Sequence, residues 1–350
     1  MKILIDNYKN VPGKHCGSTA MRNLIAHYCD LQLTEPEVIG LGSATDFIYL
    51  KCPQSEPSIL TLGRSRSMEV DLTHALGIDY REVPDFDNAH AWEVVKQEVI
   101  EGRPTMLSGD TFYLDYRGFG GHHFPAHRFV LVGFDDKREK AIIADRADVV
   151  FEECSYNALA ASRNPPMPIS TYNLWGKFYG GEVKRSLQEA FWFAINRTTE
   201  RMLGMDTSPE TLLRAFTGGY DVEIATGING LTAFYEEFPT WQKHAQWQNI
   251  VRYASNCFEN YGTGGGNFRV MYASFLESAQ SHLPNVVDQN SIAICYDAAE
   301  QWRVLSASLY TLSQQEEESH WRKCHQQIGQ VLESETKLYQ HLAKRLKNAA

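Results

Sequence analysis

At Asn164-Pro165-Pro166-Met167-Pro168 the hydrophobic rhythm of the chain changes, and that change limits the folds open to it. Proline supplies no amide hydrogen and stiffens the backbone, so a cluster of prolines ends regular structure and reads as a linker. Ahead of it, strand and helix patterns alternate. Residues 1–6 form a short apolar strand. Cys16 opens a run with Ala20, Met21, Leu24, Ile25 and Tyr28 at helical spacing, ended by Asp30. Residues 91–101 read as an amphipathic helix stopped by Gly102, and residues 104–108 as the strand that follows. Residues 128–134 and 141–145 read as two strands joined by the charged turn 135–140, an antiparallel hairpin. Behind the prolines the pattern is helical: Ile292, Cys295, Ala299, Trp302, Leu305 and Leu309 recur at three- and four-residue steps, and 316–347 continues as a charged amphipathic helix. The chain thus reads as α+β, with a mixed strand-and-helix domain over residues 1–160 and an α-helical domain over residues 170–350.

A chain of 350 residues accommodates two domains of ordinary size, and 43% hydrophobic with 22% charged residues is a composition that folds. The formal charge of −10 argues against nucleic acid, whose phosphates call for clustered Lys and Arg. No stretch has the length of a membrane span or the h-region of a signal peptide. The cysteines, at 16, 29, 52, 154, 257, 295 and 324, are scattered and odd in number, without a CxxC pair. That speaks against a disulfide framework and a zinc ribbon and points to a reducing, cytoplasmic setting.

The residues with the most chemistry begin at Gly13-Lys14-His15-Cys16-Gly17-Ser18-Thr19-Ala20, where a cysteine stands at the start of a helix. Unpaired amides and the helix dipole favour thiolate there, although a small buried residue in a turn is the competing reading. His127 directly precedes the hairpin's first strand, and Asp145 ends its second. A thiolate nucleophile needs an imidazole to hold its proton and a carboxylate to fix the imidazole tautomer, and Cys16, His127 and Asp145 follow the chain order of papain-like enzymes. His122 and His123 compete for the role of His127. A metal site in His122-His123-Phe124-Pro125-Ala126-His127 is disfavoured, because Pro125 and the neighbouring glycines deny it a helical face. Asp110, after a strand, is a candidate for the cleft wall or a strand-end turn. Tyr261-Gly262-Thr263-Gly264-Gly265-Gly266-Asn267-Phe268-Arg269 precedes a helical run, so that exposed amides with Arg269 and Tyr261 can hold a substrate anion, or the glycines can make a tight interhelical turn.

Taken together, Lys14-His15-Cys16-Gly17-Ser18-Thr19-Ala20, Leu33-Thr34-Glu35-Pro36-Glu37-Val38-Ile39-Gly40-Leu41-Gly42 and the His127/Asp145 hairpin resemble the N-terminal domain of the butirosin-biosynthesis acyltransferase family. The glycine-rich stretch ending in Arg269 resembles the helical domain that usually follows it. The resemblance implies a papain-like, C39-like catalytic domain and transfer of an acyl or aminoacyl group from an acyl-carrier-protein thioester, carried on phosphopantetheine, to a small-molecule amine. It implies no cofactor and no metal. Cys16 would accept the acyl group and His127 would act as base, oriented by Asp145. Asn10 stands where peptidase relatives carry Gln, so it is a candidate oxyanion donor, with a turn-forming Asn as the other reading. A peptidase or amidase using the same three residues is the alternative, because acceptor choice depends on water exclusion. The helical half is expected to shelter the acyl group and supply part of the acyl and amine pockets.

Overall fold

The computed structural model describes residues 1–117, 123–124, 127–166, 170–206, 208–215 and 220–349. Two units organise the chain: residues 1–35 with 77–184, and residues 36–76 with 185–350.

The first unit is built on one mixed-length antiparallel sheet. Its strands are β1 (Lys2–Leu4), β4 (Tyr80–Val83), β5 (Thr105–Gly109), β6 (His127–Asp135), β7 (Lys140–Ala144), β8 (Glu152–Ser155) and β9 (Trp175–Phe178), in the order β4-β9-β5-β6-β7-β8, with β1 pairing the far end of β6. β6 is buried along its whole length, as its near-continuous apolar run requires of a central strand. Against the sheet lie α1 (Cys16–Cys29), α4 (Asn88–Ile100) and α5 (Tyr156–Arg163). α1 buries Met21, Leu24 and Ile25 and stops at Asp30, whose left-handed conformation (φ 51°) breaks the helix. α4 begins on the Asp87 cap, which accepts from the Ala89 and His90 amides, and Gly102 (φ 77°) follows its end.

The linker expected at 164–168 is not where the units divide. Residues 167–169 lie outside the described residues, but the chain beyond them returns to place β9 between β4 and β5, so the division falls after Lys184. The second unit is also not purely helical. It contains α2 (Glu35–Leu41, from Pro36 on), β2 (Thr45–Lys51), β3 (Ile59–Arg64) and α3 (Met68–Leu76), then α6 (Leu187–Met202), α7 (Ser208–Ala215), β10 (Glu223–Thr226), α8 (Gly227–Trp241), α9 (Trp247–Glu259), α10 (Arg269–His282), α11 (Gln289–Gln314) and α12 (Glu318–Ala349). The aromatic and β-branched run of β2 pairs antiparallel with β3 and with β10, so residues 36–76 join the core of this unit rather than of the first. Phe47 of β2 stacks on Phe234 and Trp302 at 5.7 and 5.5 Å, which makes Phe234 a core residue.

Candidate active site

Cys16 is the first residue of α1, only 6% exposed. The turn before it is tightly specified. His15 caps the helix, its Nδ1 accepting from the Ser18 amide at 3.1 Å. Gly13 has no room for a side chain, since a Cβ there would meet Thr19 Oγ1 at 2.1 Å. Its amide donates to the Arg146 carbonyl, and Arg146 Nη1 donates to the Lys14 carbonyl, so the turn is tied to the chain just after Asp145.

His127 opens β6, opposite Gly109 of β5, and Asp145 follows β7, which pairs with β6 through Val130 and Ala144. The hairpin brings the two side chains together: His127 Nε2 lies 3.0 Å from both Asp145 carboxylate oxygens. The Cys16 thiol is a hydrogen-bonding and charge neighbour of the same ring. With Nε2 on Asp145, the ring edge left for the sulfur is Nδ1. Burial would lower the His127 pKa, but the Asp145 carboxylate and the contact with Cys16 outweigh it and raise it to about 9. Asp145 moves the opposite way: burial pushes it up, yet the His127 and Arg117 charges and the Arg146 amide hold it well below the usual carboxylate range. The residue type at each corner permits a resting thiolate beside an imidazolium, a pair that a nearby carboxylate keeps oriented.

Within the described residues, Cys16, His127 and Asp145 form one buried constellation on three neighbouring elements of a single unit. Residues 15–146 match the family described as butirosin biosynthesis protein H, N-terminal, and residues 158–342 match a domain of unknown function (DUF4872). The chain belongs to the DUF4872 family, and its N-terminal part matches the butirosin biosynthesis protein H domain. No curated protein matches the chain. All three residues of the constellation fall within the matched N-terminal segment, and Arg269 and Tyr261 within the second.

Other expectations from the sequence are corrected. Asn10 is adjacent to the constellation but is not poised as an oxyanion donor. Its Nδ2 donates to the Asp145 and Asp148 carbonyls at 2.7 and 2.6 Å, and its Oδ1 accepts from Asn23. Both amide hydrogens hold the Asp145 turn. Asp110 is fully buried, its Oδ1 accepting from the Phe112 and Phe124 amides and its Oδ2 2.7 Å from His123 Nδ1. It closes the loop between β5 and β6 rather than presenting a carboxylate to a cleft. His123 therefore belongs to Asp110, and His122 lies outside the described residues. No group of metal-ligating side chains with a suitable arrangement occurs among the described residues.

Arg269 is fully buried in the second unit. Its Nε donates to Glu335 Oε1 at 2.6 Å and its Nη1 to the carbonyls of Asp46, Gly63 and Asn267. The amides of the glycine-rich turn are likewise engaged internally: Gly265 with Thr263 Oγ1, Gly266 with Glu259 Oε2, Asn267 with the Phe258 carbonyl. Arg269 is thus committed to the core pair with Glu335, away from the surface where an external anion would meet it. Tyr261 sits at the surface of that unit, against Tyr253 and Asn256.

Residues around the site that sequence reasoning missed are Tyr116, Arg117 and Glu35. Tyr116 Oη donates to Asp145 Oδ2 at 3.0 Å, and Arg117 Nε lies 3.3 Å from the same oxygen. Burial and the Asp145 charge keep Tyr116 a phenol, and so a donor. Glu35 stood in the Leu33–Gly42 stretch that carries the resemblance, with no role of its own.

Proposed function

We propose that the chain is a cysteine-dependent acyltransferase of specialised-metabolite biosynthesis, papain-like in its first unit, which moves an acyl or aminoacyl group from an acyl-carrier-protein thioester to an amine. One observation carries the reading: a buried imidazole with a carboxylate on one nitrogen and the helix-start Cys16 thiol as its hydrogen-bonding neighbour. The description of the matched family, a butirosin biosynthesis protein, supports the biosynthetic setting.

In the first half-reaction the Cys16 thiolate attacks the thioester carbonyl carbon. The carrier's sulfur leaves with its bonding electrons and takes the proton from the His127 imidazolium. In the second, the acceptor amine attacks the Cys16 thioester. His127 takes a proton from the amine nitrogen, and the Cys16 sulfur departs as thiolate. Two thioesters of similar energy are exchanged before the amide forms, so no cofactor or redox partner enters the balance. Asp145 holds the imidazole tautomer throughout.

The test is intact-protein and peptide mass spectrometry after exposure to acyl-carrier thioesters, followed by addition of amines. The expected result is an acyl adduct on the Cys16 peptide that discharges to the amine. Cys16→Ala should form no adduct while keeping its fold. Full turnover by that variant overturns covalent catalysis, and discharge to water alone, whatever amine is present, turns the assignment to a hydrolase.

A further inference from the structure

Glu35, first residue of α2, is 8% exposed and turned into the nucleophile turn. Its Oε1 accepts from the Lys14 amide at 3.1 Å, the His15 amide at 2.7 Å, Ser18 Oγ at 2.8 Å and Thr19 Oγ1 at 3.3 Å, and its Oε2 accepts from the Lys14 amide at 2.9 Å. Each of these contacts is with a donor, the pattern that suits a carboxylate. The donors come from both sides of Cys16, two before it and two after, so the carboxylate is wrapped by the turn that carries the thiol. Gly13 completes the wrapping, for a Cβ there would sit 3.0 Å from Glu35 Oε2.

A buried carboxylate in this position has two effects that pull apart. Its hydrogen bonds freeze the backbone from Lys14 to Thr19, which fixes the direction of the Cys16 side chain. Its charge opposes a second negative charge nearby, so it works against thiolate formation where the helix dipole and the His127 imidazolium work for it. A turn that needed only bracing would be served by a neutral acceptor.

We propose that Glu35 is a positioning residue for Cys16, whose carboxylate holds the nucleophile turn in one geometry and whose negative charge limits how readily the thiol ionises. This rests on the reading of Cys16 as nucleophile and deepens it. Glu35 does not touch the acyl group and acts through the turn.

Two variants separate the effects. Glu35→Gln keeps the size and the Oε1-like acceptor for His15 and Ser18 but removes the charge, and Glu35→Ala removes charge and hydrogen bonds together. The measurement is the pH dependence of iodoacetamide alkylation at the Cys16 peptide, beside single-turnover acyl transfer. In Glu35→Gln the alkylation midpoint should move to lower pH by about half a unit or more, as expected when a like charge is removed from a poorly solvated neighbour. In Glu35→Ala the maximal transfer rate should fall by about thirtyfold or more with KM changed less than about threefold, the signature of lost orientation. A merely structural residue would not move the midpoint. An unmoved midpoint in Glu35→Gln overturns the proposal, as does an undiminished rate in Glu35→Ala, and if Glu35→Ala fails to fold the Glu35→Gln result decides. The Cys16 reading fails separately, and this inference with it, if wild-type Cys16 alkylates no faster than Cys29.

Discussion

Asp145→Asn is the substitution that most directly tests the electrostatics of the constellation. His127 is buried, and burial alone would drive its pKa below the ordinary 6.5; what raises it to about 9 is first the Asp145 charge and hydrogen bond, then Cys16. The rise from 6.5 to about 9 corresponds to roughly 3 kcal/mol in favour of the imidazolium. Asparagine keeps the shape, and its oxygen can still accept from the Arg146 amide, now 2.7 Å from Oδ1, but the charge is gone. The ring then titrates at or below its ordinary value. At about pH 7.5 it passes from almost wholly protonated to about a tenth protonated or less. The thiolate loses its counter-charge, and its alkylation midpoint moves to higher pH. Transfer loses both the proton and the tautomer control, which in comparable arrangements is worth about 10²–10⁴-fold in rate. The assay pairs iodoacetamide alkylation of Cys16 across pH with single-turnover transfer, and thermal unfolding checks that the variant is folded. Superimposable alkylation profiles for wild type and Asp145→Asn would refute the argument that Asp145 holds the imidazolium.

Two further outcomes follow from the same geometry. Arg269→Ala strands Glu335, whose Oε1 keeps only Trp302 Nε1, and leaves three backbone carbonyls without their donor, so urea unfolding of the second unit should show a loss of about 3–5 kcal/mol. Arg269→Met with Glu335→Met should recover most of that loss, and a single variant as stable as wild type would contradict the buried pair. Acylation of Cys16 should fail above about pH 9, whereas discharge of the isolated acyl-enzyme to hydroxylamine should rise with pH through a midpoint below that value, measured by mass spectrometry of the Cys16 peptide.

The parts of the site that were legible in the sequence are those set by chain direction and local pattern. A cysteine at the start of a helical period, a histidine at the start of an apolar strand and an aspartate at the end of its hairpin partner are each placed by a periodicity that short windows reveal. Burial is not revealed in that way. Arg269 after four glycines looks the same to sequence reading whether the amides face solvent or the core, and only the partner Glu335, 66 residues downstream, decides between them. Asn10 failed for a related reason: its distance from Cys16 along the chain is right, but its hydrogens point to carbonyls at 145 and 148. The placement of residues 36–76 in the second unit depends on β2 pairing with β10, whose register joins Lys51 to Glu223. No local pattern encodes a pairing of that separation.

The raised pKa of His127 poses a question for the proposed transfer, since an imidazole that is protonated at neutral pH is an acid and cannot receive the amine's proton. Part of the answer lies in what holds it up. Alongside Asp145, both the hydrogen bond and the charge of Cys16 raise it. Once the sulfur carries the acyl group it is neutral and no longer a proton partner, so that contribution disappears at the moment acylation is complete. In the proposed reaction the same step hands the His127 proton to the departing carrier thiol. In the proposed acyl-enzyme the imidazole would be neutral and its pKa lower than in the free thiol form, which favours its acting as a base. Arg117, 3.3 Å from Asp145 Oδ2, pulls in the same direction by drawing on the charge that Asp145 presents to the ring. Under the proposed mechanism, acid in one half-reaction and base in the next would then follow from covalency at Cys16, without any rearrangement of the triad. A discharge midpoint at or above that of acylation would show that Asp145 alone sets the ring's protonation, and the alternation would need another source.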